Sequence, residues 1–169
     1  MARGKWADGI EPRNFTWVIQ DKLAMCERPG GYGDNHRPVR RKEEIIWIRE
    51  QGFHSVVSII AAPHNLHNYE EAGVLCRHRP LTPQSDLQQF LGVVYTEMEG
   101  LLEAGERVLV HSEELGDTVA GLIGGYLLWT EKVPTTPAAI SITEQITTSQ
   151  LGPDGREIIT AASKVSRPI

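Results

Sequence analysis

The sequence predicts an α/β domain, a small, mainly parallel sheet flanked by helices. Three observations predict it. Strand and helix signals alternate through the middle of the chain, and helices dominate its end. Two runs, His54 to Ile60 and Val108 to Val110, place apolar, largely β-branched residues on both faces, as expected of strands covered by helices on both sides. A short strand, a polar loop containing glycine and an apolar helix follow one another over residues 108–128, which puts a loop at the carboxyl end of a central strand.

Length and composition set the bounds. The chain has 169 residues, 40% hydrophobic and 23% charged, enough for one domain with a substantial core. Its net charge of −5 argues against a general nucleic-acid footprint. A membrane span needs a run of about 18 apolar residues, and none is present. The opening Met-Ala-Arg-Gly-Lys-Trp lacks the apolar core of a signal peptide. Cys26 and Cys76 are too few for a disulfide scaffold and read as ordinary, partly buried thiols. A cytoplasmic setting is the expectation.

Taken in order, residues 1–13 form a loose N-terminal segment, 14–162 a single domain and 163–169 a frayed tail. Phe15, Trp17 and Ile19 alternate with Thr16 and Val18, which predicts a half-buried strand; Gln20-Asp21 turns the chain and Lys22 to Met25 return it. Pro29 to Asn35 is a glycine-rich loop without Gly-Lys-Ser/Thr after it, so it is read as a plain connection. Basic residues 36–42 lead into a helix from Arg40 to Gln51, either solvated or marking a place for an acidic partner, since cations oppose the dipole at a helix start. Gly52 ends that helix and the strand to Ile60 follows. His64 and His67 are spaced for a metal on a helix, but Pro63 and two asparagines favour a loop, and no metal is expected. Glu70 to Gly73 reads as a short helix and Val74 to Arg77 as an edge strand. Ser85-Asp-Leu-Gln88 reads as a capping box opening a helix whose stripe is Leu87, Phe90, Leu91, Val94, Met98, Leu101 and Leu102. Gly105 closes it. The next helix, Thr118 to Glu131, carries Gly121, Gly124 and Gly125, which weaken it unless it packs closely against the sheet. A helix capped at Thr136-Pro137 runs to Gln150, Gly152 to Gly155 turns, and Arg156 to Ala162 closes the domain.

The unit around residue 112 carries the functional reading. Converging backbone N–H groups and a helix N-terminus after a strand make a cradle for an anion. This stretch resembles the phosphate loop of the cysteine-based protein phosphatases: Val-His-Cys, five residues, Arg, Ser/Thr, Gly and a helix. Val110, His111, Gly116 and Gly121 fit it. Asn14, Phe15, Trp17, Val18, Leu23, Ala24 and Pro29 are, independently, similar to the opening of the small atypical dual-specificity phosphatases. The resemblance covers residues 14–160 and implies the dual-specificity phosphatase fold.

The chemistry departs from that pattern in three places. Ser112 stands at the nucleophile position and Thr118 at the arginine position, and no carboxylate lies between Val74 and Ser85, where the resembled family keeps an aspartic acid that protonates the leaving oxygen. A serine hydroxyl needs a base beside it, and His111, one residue earlier on a strand, points to the opposite face. Arginine grips a phosphoryl group with two parallel hydrogen bonds; Thr118 offers one neutral hydroxyl. Glu113, Glu114 and Asp117 add like charge: a carboxylate about 6 Å from a phosphate repels it by roughly 3 kcal/mol at an effective dielectric near 20. The sequence therefore predicts a catalytically inactive phosphatase-like protein, with no catalytic residue, no cofactor and no metal. Its binding site is expected in His111, Ser112, Glu113, Glu114, Leu115, Gly116, Asp117 and Thr118, for an unidentified protein partner or small ligand. Either Asp117 or Glu113 folds inward onto the empty amides, or Ser112 or Thr118 caps the helix while Asp117 supports it from outside. The alternative is an active phosphoester or ester hydrolase using Ser112, or a metal held by the acidic loop.

Overall fold

The computed structural model describes residues 8–31, 34, 36–63 and 65–168. Five strands form one sheet: β1 (Thr16–Ile19), β2 (Leu23–Cys26), β3 (Phe53–Ser58), β4 (Leu75–His78) and β5 (Arg107–His111), in the order β1-β2-β5-β3-β4. β1 is antiparallel to β2, and every other pairing is parallel. β5 is thus the central strand, and the loop after it opens at the carboxyl edge of the sheet, as expected. No helix among the described residues is long and apolar enough to cross a membrane.

Six helices cover the sheet: α1 (Pro38–Glu50), α2 (His67–Glu71), α3 (Leu87–Glu103), α4 (Asp117–Trp129), α5 (Thr136–Thr147) and α6 (Pro153–Ala162). The period-two alternation of the strands divides them between two cores. Val108 and Val110 join Leu23, Met25 and Val57 against α3, α4 and α6. Leu109 joins Ala24, Cys26 and Val56 on the other face, against Ile45, Ile48 and Tyr69 of α1 and α2. Burial on both faces explains why Val56-Val57 of β3 and Val108 to Val110 of β5 are apolar on successive residues.

Local chemistry moved several helix boundaries. α1 starts at Pro38, not Arg40, because proline fits the first turn, where its missing N–H costs nothing. α3 is capped by Asp86, whose carboxylate accepts the Gln89 N–H at 3.1 Å, rather than by Ser85, whose hydroxyl closes the preceding turn on the Thr82 N–H at 3.0 Å. Thr135, not Thr136, caps α5 through the Ala138 N–H. That helix stops at Thr147 because Thr148 takes a left-handed conformation, φ +54°. α6 begins at Pro153, so the expected turn at 152–155 is its first turn. The glycines of α4 face other helices instead of the sheet: Gly121 meets Gly155 of α6, and Gly124 meets Thr143 of α5 and Ile159 of α6.

The ends differ from expectation where they are described. The Ile10 N–H donates to the Glu43 carbonyl at 3.1 Å, and Pro12 is buried. In the expected frayed tail, Val165 packs on the main core, and the Arg167 guanidinium lies 5.0 Å over the Trp129 ring and bonds Glu99. Residues 1–7 and 169, together with Tyr32, Gly33, Asn35 and His64, lie outside the described residues, so the histidine pair at 64 and 67 is not described. His67 is exposed and has Glu71 at 4.0 Å.

The basic run at the start of α1 is largely used within the fold. Buried Glu44 accepts the Gly30 N–H at 2.7 Å and the Arg40 guanidinium at 2.6 Å, and Arg41 donates to Asn68 at 2.7 Å. Gly30 has φ +86°, and a β-carbon there would sit 2.7 Å from the Arg41 β-carbon, so the loop closes only with glycine.

Candidate functional site

The loop from His111 to Thr118 begins where β5 ends. In this row of the sheet, Cys26, His111 and Ser58 are register partners on β2, β5 and β3, so they share one face. That face is the α1/α2 side, where the His111 ring lies 5.9 Å from the Tyr69 ring. His111 is fully buried and its Nδ1 donates to the Ser112 carbonyl at 3.1 Å. A carbonyl only accepts, so this bond fixes the tautomer and leaves Nε2 an acceptor. Burial, aided by the Arg28 and His78 charges, pushes the imidazole pKa down to about 4, although the bond to Ser112 opposes the shift. His111 is therefore neutral near pH 7, a weak base, and tied to the Ser112 backbone.

The three loop carboxylates go three ways. Glu113 pairs with the largely buried guanidinium of Arg28 at 3.2 Å, and its carbonyl accepts the Arg28 N–H at 3.3 Å. Glu114 is exposed and its side chain lies against Gly116, where an added β-carbon would sit 3.3 Å from Cγ. Leu115 packs on the edge of the main core. Gly116 is the N-cap of α4, with extended backbone and no side-chain cap. Asp117 opens α4 and gives both carboxylate oxygens to α6: Oδ1 to the Gly152 N–H and Oδ2 to the Gly155 N–H, each at 2.7 Å. This corrects both expected ways of filling the cradle. Neither Glu113 nor Asp117 turns onto the loop amides, and neither Ser112 nor Thr118 caps the helix. Asp117 instead satisfies N–H groups at the start of α6, which its N-cap Gly152 leaves without a side-chain partner.

Thr118 lines a cleft of about 360 Å³ between the β4–α3 connection and α6, together with Leu81, Leu87, Asp154, Glu157 and Ile158. The β4–α3 connection carries no carboxylate toward this cleft. It is held from behind, where Glu97 accepts Arg79 at 2.7 and 2.8 Å and Arg77 at 2.8 Å. The His78 Nε2–H donates to the Ile60 carbonyl at 2.7 Å, so that imidazole is tied to backbone. Both cysteines are free thiols. Burial raises Cys26 well above its ordinary pKa and Cys76 to about 12, so neither supplies a thiolate near neutrality.

Sequence reading missed Arg28, Asp154 and Glu157. Arg28 is 85 residues from Glu113 in the chain, and of the cleft carboxylates Asp154 comes from a stretch read as a turn and Glu157 from the helix read after it. Asp154 would have stood out had Pro153 been taken as the first residue of a helix, since an acid in that turn suits the dipole.

These features define a class: a strand–loop–helix unit at the carboxyl edge of a five-stranded sheet with helices on both faces, the fold of the dual-specificity and tyrosine phosphatases. Solved structures of that fold superpose on the chain. The kinase associated phosphatase, solved with its catalytic-site cysteine replaced by serine, matches with a TM-score of 0.74 at 14% identity, covering 88% of this chain and 92% of that one. Tk-PTP in its active form matches at 0.71 and 15% identity, over 89% and 97%. Human DUSP28 matches at 0.65 and 16% identity, over 92% and 97%. No protein-family model and no curated protein matches the sequence.

Proposed function

We propose that this chain is a phosphatase-fold binding protein of the cytoplasm that does not turn over phosphoryl groups and acts on a protein partner or small ligand through its degenerate loop. One observation carries the reading: the imidazole adjoining Ser112 is buried on the α1/α2 side of the sheet, neutral, and bonded to the Ser112 carbonyl. Without a thiolate, a base, a guanidinium at 118 or an acid between Val74 and Ser85, the groups that lower a phosphoryl-transfer barrier are missing from their places. The kinase associated phosphatase structure shows that this fold accommodates serine at the nucleophile position.

The hydrolase reading draws less support. A metal on the acidic loop would need Glu113, Glu114 and Asp117 to converge, whereas Glu113 is turned to Arg28 and Asp117 to the α6 amides. Turnover of p-nitrophenyl phosphate, with and without Mg²⁺, tests the proposal. The unmodified chain is expected to give no rate above buffer. Metal-dependent turnover that disappears in Ser112→Ala would establish the hydrolase instead.

A further inference from the structure

We propose that the cleft beside Thr118 is a docking groove for a basic peptide segment, with an arginine or lysine side chain seated between Asp154 and Glu157. The proposal rests on the non-catalytic binding reading and names the class of partner. The cleft floor is apolar, formed by Leu81, Leu87 and Ile158. It continues, through the shared residues Leu87 and Glu157, into a second groove of about 690 Å³ along α3 and α6 that adds Asp86 and Lys164. An apolar floor with carboxylates at the rim matches the methylene stem and charged head of lysine or arginine.

The charges near the cleft favour a cation over a phosphate. Asp154 and Glu157 are exposed, and neither has an ion-pair partner among the described residues. Arg156, between them, turns away to Glu144 and the Leu151 carbonyl. The two helix N-termini flanking the cleft, which would otherwise draw an anion, each carry a carboxylate: Asp117 opens α4 and bonds the first amides of α6, and Asp154 lies in the first turn of α6. The net charge of −5 adds long-range attraction for a basic partner.

Fluorescence anisotropy with a fluorescein-labelled tetra-arginine peptide tests the groove. Binding is expected at low ionic strength, with salt weakening it and the amide resonances of Leu87 and Thr118 shifting on titration. The double substitution Asp154→Asn with Glu157→Gln is expected to raise Kd about tenfold, the scale for losing two partly exposed ion pairs. Glu157→Lys, at an exposed site, should weaken binding at least as much while the thermal unfolding midpoint stays unchanged. Equal binding by these variants, tighter binding of tetraglutamate or inorganic phosphate at the same residues, or no binding would overturn the proposal. The p-nitrophenyl phosphate assay separates the two ideas: a chain silent in both assays loses the groove and keeps the non-catalytic reading, whereas one that turns over phosphate loses that reading whatever the peptide does.

Discussion

His111 shows how a retained residue changes role when its neighbours change. It is the one fully buried imidazole of the loop, and its Nε2 has no hydrogen-bond partner. Its ordinary pKa of 6.5 falls to about 4 in the fold, chiefly through burial. Between those values the unfolded chain binds a proton that the folded chain refuses, so stability rises with pH there. The contribution is complete above pH 6.5 and is lost as pH falls through 4, a swing of about 3 kcal/mol. Glu44 works in the opposite direction: burial raises its carboxyl pKa, so its contribution is present at low pH and lost as pH rises through the raised value. Comparing the chain with His111→Asn removes the Glu44 share, because both proteins carry it. Urea unfolding at pH 7 and pH 4.5 is expected to show the unmodified chain losing stability between the two, and the variant losing distinctly less. Parallel loss in both would mean that His111 is not held neutral. That His111 ends an apolar strand was legible in the sequence, from the Val-Leu-Val run before it. Its partner Tyr69, on another element, was not.

The glycines of α4 were legible as a weakness but not as a contact. Helix propensity alone says that Gly121, Gly124 and Gly125 each cost up to about 1 kcal/mol relative to alanine. The sequence cannot say which neighbour repays that cost, because the neighbours are distant in the chain: Tyr95 of α3 for Gly125, and α5 and α6, whose approach depends on two later turns. In the fold, a β-carbon on Gly121 would lie 2.5 Å from Gly155 Cα and 2.7 Å from its carbonyl oxygen, both backbone atoms that no rotamer change can move. A β-carbon on Gly100 of α3 meets nothing within 4 Å. The two sites therefore respond oppositely to one substitution. Gly121→Ala is expected to destabilise by about 2–4 kcal/mol through overpacking against α6. Gly100→Ala is expected to stabilise by about 0.5–1 kcal/mol through propensity alone. Denaturant midpoints at constant m-value check both, and a stabilising Gly121→Ala would mean that α6 does not pack here. Pro153 and Thr135 teach a related lesson: the sequence marked both helix starts within a few residues, but which group takes the first amides depends on cap geometry that periodicity does not encode.

Across the whole molecule, scaffold and chemistry separate. The strand order, the two cores and the loop at the carboxyl edge follow from hydrophobic patterning that survives at 14–16% identity to solved phosphatase-fold structures. The site depends on a few side chains that patterning does not constrain, and here the replacements reach beyond the loop. The stretch from Arg79 to Ser85 has no acid, Arg77 and Arg79 are held by Glu97, and α6 brings Asp154 and Glu157 to the cleft wall. Restoring only the two loop residues tests how far the change extends. In Ser112→Cys with Thr118→Arg, the thiol gains a helix N-terminus that lowers its pKa and the guanidinium gains the cleft, so vanadate binding is expected to appear. Turnover of an alkyl phosphate, whose leaving group needs a proton, is expected to stay about 100-fold or more below that of an intact phosphatase, the usual scale for a missing general acid. An aryl phosphate with a good leaving group should be cleaved faster than the alkyl one by a similar factor, since it needs no proton. Equal, fast cleavage of both would show that an acid is present after all, with Asp86 the first candidate. It would confine the loss of chemistry to positions 112 and 118.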